Sequence, residues 1–459
     1  MKIAIITAGG AGMFCGSCMQ DNTLARALRK AGADALLLPA YTPIRVDEEN
    51  VSIDHVFLGG INVYLDSKVP GWSRLPRFAK RWLDRPGLVK WLSKLSSSTD
   101  ASALGPLTID LLTGSLGPQR SEIDELIRYL CDELQPDIIL FSNALLSGIV
   151  PELRRRFSGS ICCLLQGDDI FLDGLTEPWK TQAFRLIARN AAHFDGMLTH
   201  SEYYAHFMQG YLGLSADRFR QIHLTVDDRP SAVIPKYRTS DSESGLDPAV
   251  PQQDRKMTIG YFARICPEKG AFRFLDAAES VLSQRSDLQM MIAGYLPEQH
   301  RRRLETRMKT LTAKFGSRIE WAGSPESRSD KFKLLESFDW LCVPTKYHEP
   351  KGLYVLEAAL AGVPSLLPCH GAFPERIASL GTGLLYDPFR PNALEEALLS
   401  LSPQRDEGVR EALRQRCLQQ FGMREAGGRV LEVLAAAMNP NSCRSPAFPP
   451  ASYTSRGNH

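Results

Sequence analysis

The feature that most constrains this chain is one pattern stated twice. Short apolar runs alternate with amphipathic segments on each side of a polar stretch, Arg238–Asp254. A run such as Ile138-Ile139-Leu140-Phe141 has no polar face, so as a strand it must be covered on both sides, as in a parallel sheet. In the first half Lys2–Thr7, Ala35–Pro39, Asp137–Ser142 and Ser160–Leu165 read as strands. Gln20–Lys30 reads as a helix with Leu24 and Leu28 on one face. In the second half Met257–Phe262, Leu288–Ala293, Arg318–Trp321, Trp340–Val343 and Pro364–Leu367 read as strands. Between the first two lies a helix from about Ala271 to Gln284, with Leu275, Ala278 and Leu282 along one face.

Alternating β and α elements predict an α/β fold with two doubly wound parallel sheets, which take ligands at the carboxyl ends of their strands. The expected division is a first Rossmann-like domain over 1–237, a polar linker over 238–254 and a second Rossmann-like domain over 255–438. The end of the second domain, about Asn392–Met438, reads as helices that can pack back on the first. The Pro/Ser/Asn-rich tail, 439–459, is expected to be disordered. A length of 459 residues suits two to three domains.

A formal net charge of +2 gives no electrostatic reason to expect a nucleic-acid partner. The apolar run after Met1 breaks at Gly9-Gly10, too soon for a signal peptide, and no run approaches the length of a membrane span. The ten cysteines are scattered, and Cys162, Cys163 and Cys342 sit in strand-like runs that suit reduced, buried thiols. The expected location is cytoplasmic.

Three loops, each after a strand of the second half, hold the residues with chemical potential. In the first, Arg264 and Lys269 stand five positions apart, ahead of a helix start. A helix N-terminus offers unpaired amides and partial positive charge, so this pair can complete a diphosphate site. Two solvated surface charges are the plainer alternative. In the second loop, Glu349 and Glu357 flank Gly352-Leu353, and a helix starts near Leu353. Glu357 then falls one turn into the helix, where a carboxylate can accept both hydroxyls of a ribose diol. It also lies in the apolar run Leu353–Val363, where an acid needs a partner. Glu349 can reach a sugar hydroxyl. In the third loop, Gly371 through Glu375 again links strand to helix, and Gly371 lets backbone approach a ligand.

These residues carry a resemblance. Arg264 with Lys269, the E-x7-E spacing of Glu349 and Glu357 around Gly352-Leu353, and Gly371 to Glu375 resemble the retaining glycosyltransferases of glycosyltransferase family 4, "glycosyl transferases group 1". The likeness is strongest from Gly260 to Ile377. It implies the GT-B fold, two Rossmann-like domains facing across a cleft, and transfer of a sugar from a nucleoside diphosphate sugar to a hydroxyl acceptor. The resemblance implies that Arg264 and Lys269 neutralise the donor diphosphate, that Glu357 holds the ribose and that Glu349 contacts the sugar or the developing charge. The family's loop usually has an aromatic residue where this chain has Lys351. Base recognition is expected near Gly323–Lys331. No cofactor is implied, the sugar nucleotide being a co-substrate. No metal is implied either, since the sequence contains no D-x-D. A sugar-nucleotide epimerase or hydrolase of the same architecture, or a non-catalytic nucleotide-sugar-binding scaffold, are the alternatives.

Signals in the first half are weaker. Gly9-Gly10-Ala11-Gly12 follows the first strand, and Gly10 and Gly12 are candidates for backbone approach to the donor. Cys15 stands where a dinucleotide fingerprint would have its third glycine. Cys15-Gly16-Ser17-Cys18 reads first as small residues in the cleft wall, with redox sensitivity as a side hypothesis. Gln166-Gly167-Asp168-Asp169 ends a strand. Gln166 cannot act as a base, so Asp168 is the candidate for orienting the acceptor, with a helix cap as the structural alternative. Residues 72–95 mix Arg74, Arg77, Lys80 and Arg81 with Trp72 and Trp82, a composition that suits peripheral contact with an anionic membrane or an ordinary solvated helix edge.

Overall fold

A computed structural model describes residues 1–9, 15–58, 104–117, 120–228 and 256–438. Gly10, Gly12, the basic aromatic segment 72–95, the linker 238–254 and the tail 439–459 lie outside the described residues.

Two six-stranded sheets, parallel throughout, organise the chain. The first contains β1 (Lys2–Thr7), β2 (Asp34–Pro39), β3 (Ile138–Phe141), β4 (Ser160–Leu164), β5 (Gly196–Thr199) and β6 (Phe219–Gln221), in the order β2-β1-β3-β4-β5-β6. The second contains β7 (Met257–Phe262), β8 (Leu288–Ala293), β9 (Ile319–Gly323), β10 (Trp340–Cys342), β11 (Ser365–Pro368) and β12 (Leu384–Tyr386). Its order, β12-β11-β10-β7-β8-β9, is the dinucleotide-fold order read from the other edge. Strand order reverses between β1 and β3 in one sheet and between β7 and β10 in the other. Doubly wound folds bind ligands at these switch points.

The helices that frame the cleft are α1 (Gly16–Lys30), α2 (Asp168–Asp173), α3 (Glu202–Leu212), α4 (Ala271–Gln284), α5 (Arg328–Glu336), α6 (Leu353–Leu360) and α7 (Phe373–Leu380). Two more, α8 (Glu407–Phe421) and α9 (Met423–Ala437), end the described chain. The apolar faces read from sequence are the buried ones: Leu24 and Leu28 on α1, and Leu275, Ala278 and Leu282 on α4, are all at most 2% exposed. Helix α1 starts at Gly16, so Cys15 is its N-cap residue and Cys18 lies in its first turn.

The chain crosses back near its end. Phe421 is in the core of the second sheet, whereas Val430 and Leu434 on α9 join Ile3, Leu24 and Leu28 in the core of the first. At the crossing the Val226 amide donates to the Phe421 carbonyl at 2.8 Å. Helix α9 packs along α1 and ties the last helix of the chain to the first.

Candidate functional site

The switch points decide which loops face the cleft. After β7 the chain turns through Arg264 to Gly270 and enters α4, and after β10 it runs through Glu349 to Gly352 and enters α6. The two loops are thus neighbours because β7 and β10 are hydrogen-bonded neighbours.

Lys269 and Glu349 meet there. The Lys269 ammonium pairs with Glu349 Oε2, and the Glu349 side chain is 6% exposed. Tyr354 Oη donates to the same carboxylate oxygen at 3.2 Å, and the Gly352 amide donates to Oε1 at 3.4 Å. Burial works against the charged carboxylate, yet Lys269, and then Lys351, hold its pKa below the usual range. Lys269 also lies over the rings of Tyr347 and Tyr354, 5.4 and 5.7 Å from their centres. Arg264 differs: its side chain is exposed and makes no ion pair among the described residues, while its carbonyl accepts from buried Tyr261 Oη at 2.8 Å. One cation is therefore held in place and the other is exposed to solvent.

Gly352 caps α6 with φ +73, and Leu353 opens the helix. Gly371 has φ +60, and a Cβ there would come within 2.7 Å of the Glu349 amide nitrogen. The third loop can lie against the second only because this residue has no side chain. The Ala372 amide then donates to the Glu349 carbonyl at 2.8 Å.

Glu357 has the partner that its apolar setting requires. Lys331, 4% exposed, donates to Glu357 Oε1 at 2.7 Å and reaches Asp47 of the first domain at 2.5 Å. Although burial disfavours the ammonium, these two carboxylates raise its pKa. Beside them lies a small cavity lined by Thr23, Glu48, Asp227, Arg328, Leu353 and Glu357.

Asp168 is placed differently from a free carboxylate. Its Oδ1 accepts from the Ala144 amide at 2.6 Å and its Oδ2 from the Gln166 amide at 2.9 Å, so it ties together the ends of β3 and β4. Burial raises its pKa to about 6. Gly167, not an aspartate, is the N-cap of α2. Asp169 faces the cleft and accepts from Tyr204 Oη at 2.6 Å and from Tyr347 Oη of the second domain at 3.2 Å.

Lys351 is the residue whose position sequence reasoning did not reach. It crosses from the second domain and donates to Ser17 Oγ at 3.0 Å and Gln166 Oε1 at 3.1 Å. Gln166 in turn donates to Asp21 Oδ1 at 2.7 Å. Burial lowers the Lys351 pKa, against the pull of Cys15 and Asp21. Other ties cross nearby. Arg376 donates to the carbonyls of His200 at 2.6 Å and Lys351 at 2.7 Å, and Glu375 accepts the Glu202 and Tyr203 amides at the start of α3. The only sequence signal for Lys351 was a charge where related loops have an aromatic ring.

Comparison with known proteins agrees with this layout. Residues 246–417 match the family described as Glycosyl transferases group 1. No curated protein matches the chain by sequence. Among solved structures, Anabaena HepE in complex with UDP is similar, with a TM-score of 0.61 at 15% identity over 95% of this chain and 100% of that one. Sucrose-phosphate synthase from Thermosynechococcus elongatus gives 0.63 at 17% identity over 95% and 100%. The trehalose-6-phosphate protein from E. coli bound with UDP-2-fluoro glucose gives 0.57 at 13% over 94% and 98%. The fold is GT-B. With a glycosyltransferase group 1 region spanning its second sheet and both switch points facing one cleft, this protein is a glycosyltransferase.

Proposed function

We propose that the protein transfers a glycosyl group from a nucleoside diphosphate sugar to a hydroxyl acceptor with retention of configuration and without a metal ion. The observation that carries the proposal is the convergence of Lys269, Arg264, Glu349 and the start of α6 at the β7/β10 switch point, inside the region that matches Glycosyl transferases group 1. The similar HepE structures hold UDP, and one holds UDP-glucose, which supports a nucleoside diphosphate donor.

In this reading the diphosphate lies between Arg264, Lys269 and the Leu353 and Tyr354 amides that open α6. Those groups stabilise charge as it builds on the departing phosphate. Glu357 accepts the ribose hydroxyls, and Glu349 meets the sugar. The acceptor enters from the first domain, and closure excludes water and aligns its hydroxyl with the anomeric carbon. The leaving phosphate oxygen takes the acceptor's proton. That route fits an Asp168 already committed to two backbone amides and asks only that it hold Gln166 in place.

Among the described residues no helix is long and apolar enough to cross a membrane. A cytoplasmic location, with peripheral membrane contact through 72–95, belongs to the proposal and rests on the composition of that segment.

A thermal-shift panel of UDP-, GDP- and ADP-sugars tests the reading. One donor should raise the melting temperature, and Arg264→Ala should shrink the shift. No shift with any donor would refute it. Turnover that vanishes in EDTA and returns with a divalent ion would refute the metal-free part.

A further inference from the structure

We propose that Cys15 and Cys18 form a redox-active dithiol that a hydroperoxide converts to a disulfide, and that closing the bridge around Ser17 loosens the loop that Lys351 ties to Ser17 Oγ. Three observations place it. Cys15 follows β1 at the switch point of the first sheet, as the N-cap of α1, with Cys18 three residues on. The two side chains are within hydrogen-bonding reach of each other, so a disulfide needs only a small adjustment. Thr7 Oγ1 donates to Cys18 Sγ at 3.8 Å and holds the second sulfur at the strand end.

The two thiols differ as attacking and resolving partners should. Cys15 is partly exposed and Cys18 is buried. The Cys18 thiol donates to the Cys15 sulfur, the Cys18 and Ser17 amides at the helix start point at it, and Lys351 supplies a positive charge; together they outweigh burial and lower the Cys15 pKa to about 5. Cys18 is raised by the same contact and by burial, so it keeps its proton. Cys162 and Cys342 are buried in strands with raised pKa values, and Cys369 is exposed.

The chemistry balances with hydrogen peroxide as oxidant. The Cys15 thiolate attacks one peroxide oxygen, the O–O bond breaks, and the departing hydroxide takes a proton to leave as water. Cys18, giving up its proton, attacks the resulting sulfenic sulfur, and a second water departs as the S–S bond forms. Two thiols are oxidised and one peroxide is reduced.

The link to the cleft runs through Lys351. Its ammonium donates to Ser17 Oγ, on the residue next to Cys18, and it sits between Glu349 and Gly352 in the second loop. Among the described residues Cys15 and Asp21 are the first-domain groups that pull on the Lys351 ammonium, and the disulfide removes the first of them. The consequence for donor binding rests on the function proposed above. The thiol chemistry and the loop's mobility do not.

The test uses the full chain, reduced or treated with peroxide, and needs no donor. Mass spectrometry should find a loss of two hydrogens in the peptide holding Cys15 and Cys18, reversed by dithiothreitol. Iodoacetamide at pH 7 should modify Cys15 about tenfold faster than the more exposed Cys369, as a thiolate at a helix start is the more reactive nucleophile. Lys351→Met should shrink that ratio. Hydrogen exchange at the amides of 351–354 should quicken in the oxidised chain. Oxidation of Cys15 that leaves Cys18 unlinked, or Cys369 reacting first, overturns the dithiol. Unchanged exchange at 351–354 once the disulfide has formed overturns its coupling to the loop.

Discussion

Lys331 on α5 and Asp47 in the first domain lie 2.5 Å apart, nitrogen to oxygen, and both are nearly sealed from water. Since Lys331 also holds Glu357, one buried ammonium neutralises two largely covered carboxylates, one from each domain. Replacing it by methionine removes the cation and leaves both acids. Breaking a buried pair from one side costs about 3–5 kcal/mol. Urea denaturation of Lys331→Met should show a loss of that order, while Asp47→Asn, which leaves the Glu357 contact intact, should lose less. Equal losses would mean that the link between domains carries most of the interaction.

The two cations proposed for the diphosphate should separate stability from binding. Arg264 is exposed and makes no ion pair among the described residues, so Arg264→Ala should change unfolding free energy by no more than about 0.5 kcal/mol. Its loss should still weaken donor binding by about 10- to 100-fold, the range of a charge-assisted hydrogen bond of roughly 1.5–3 kcal/mol. Lys269→Ala should fail on both counts, because it also leaves Glu349 buried without its nearest cation. Calorimetric titration of the donor beside urea melts distinguishes the variants. An Arg264→Ala protein that binds donor normally would remove Arg264 from the site.

Asp21 gives a prediction about pH. It is fully buried, and burial raises its pKa to about 6 despite opposing contacts from Thr7, Gln166 and Lys351. A carboxyl with a raised folded pKa is protonated more readily in the folded chain. Its contribution to stability is therefore fully present below the unfolded value near 3.9 and is lost as pH rises through about 6. The full loss is up to roughly 3 kcal/mol. Asp21→Asn shifts stability by an offset that does not depend on pH, but it removes this slope. Relative to wild type, the variant should therefore gain stability between pH 4 and pH 7 in urea melts. A constant difference across that range would show that Asp21 titrates normally.

Local pattern carried the reading of the fold wherever burial is periodic. Helix α4 has the bounds read from sequence because Leu275, Ala278 and Leu282 all point into the core. Strand β12 was missed because Leu384 and Leu385 are exposed on a three-residue edge, so no apolar face marks it. Strand β5 is four residues long and includes Gly196 and Thr199, which reads as a turn. The meeting of the loops after β7 and β10 was legible because their residues are close in sequence to strands that pair in space. Lys351 was not, since Ser17 lies 334 positions away and only the meeting of two domains pairs them. Asp168 was singled out for an acceptor contact, and nothing in the sequence signalled the two backbone amides that its oxygens also accept.

Two glycines of the site should respond differently to alanine, and the contrast tests how Glu349 is held. Both have positive φ, +60 at Gly371 and +73 at Gly352, so each alanine should cost about 1 kcal/mol or more in backbone strain. Around Gly352 the nearest atoms to an added Cβ are side-chain carbons at 3.6 Å, an ordinary contact. At Gly371 they are the Glu349 amide nitrogen at 2.7 Å and carbonyl oxygen at 2.8 Å, and backbone cannot yield without moving Glu349. Gly371→Ala should therefore cost a further 1–3 kcal/mol or so, as overpacking does, and should draw the Glu349 carboxylate away from Lys269. Under the proposed function its turnover should fall well below that of Gly352→Ala even at temperatures where both variants are folded. If the two variants match in urea melts and in turnover, the contact between Gly371 and Glu349 is not what positions the carboxylate.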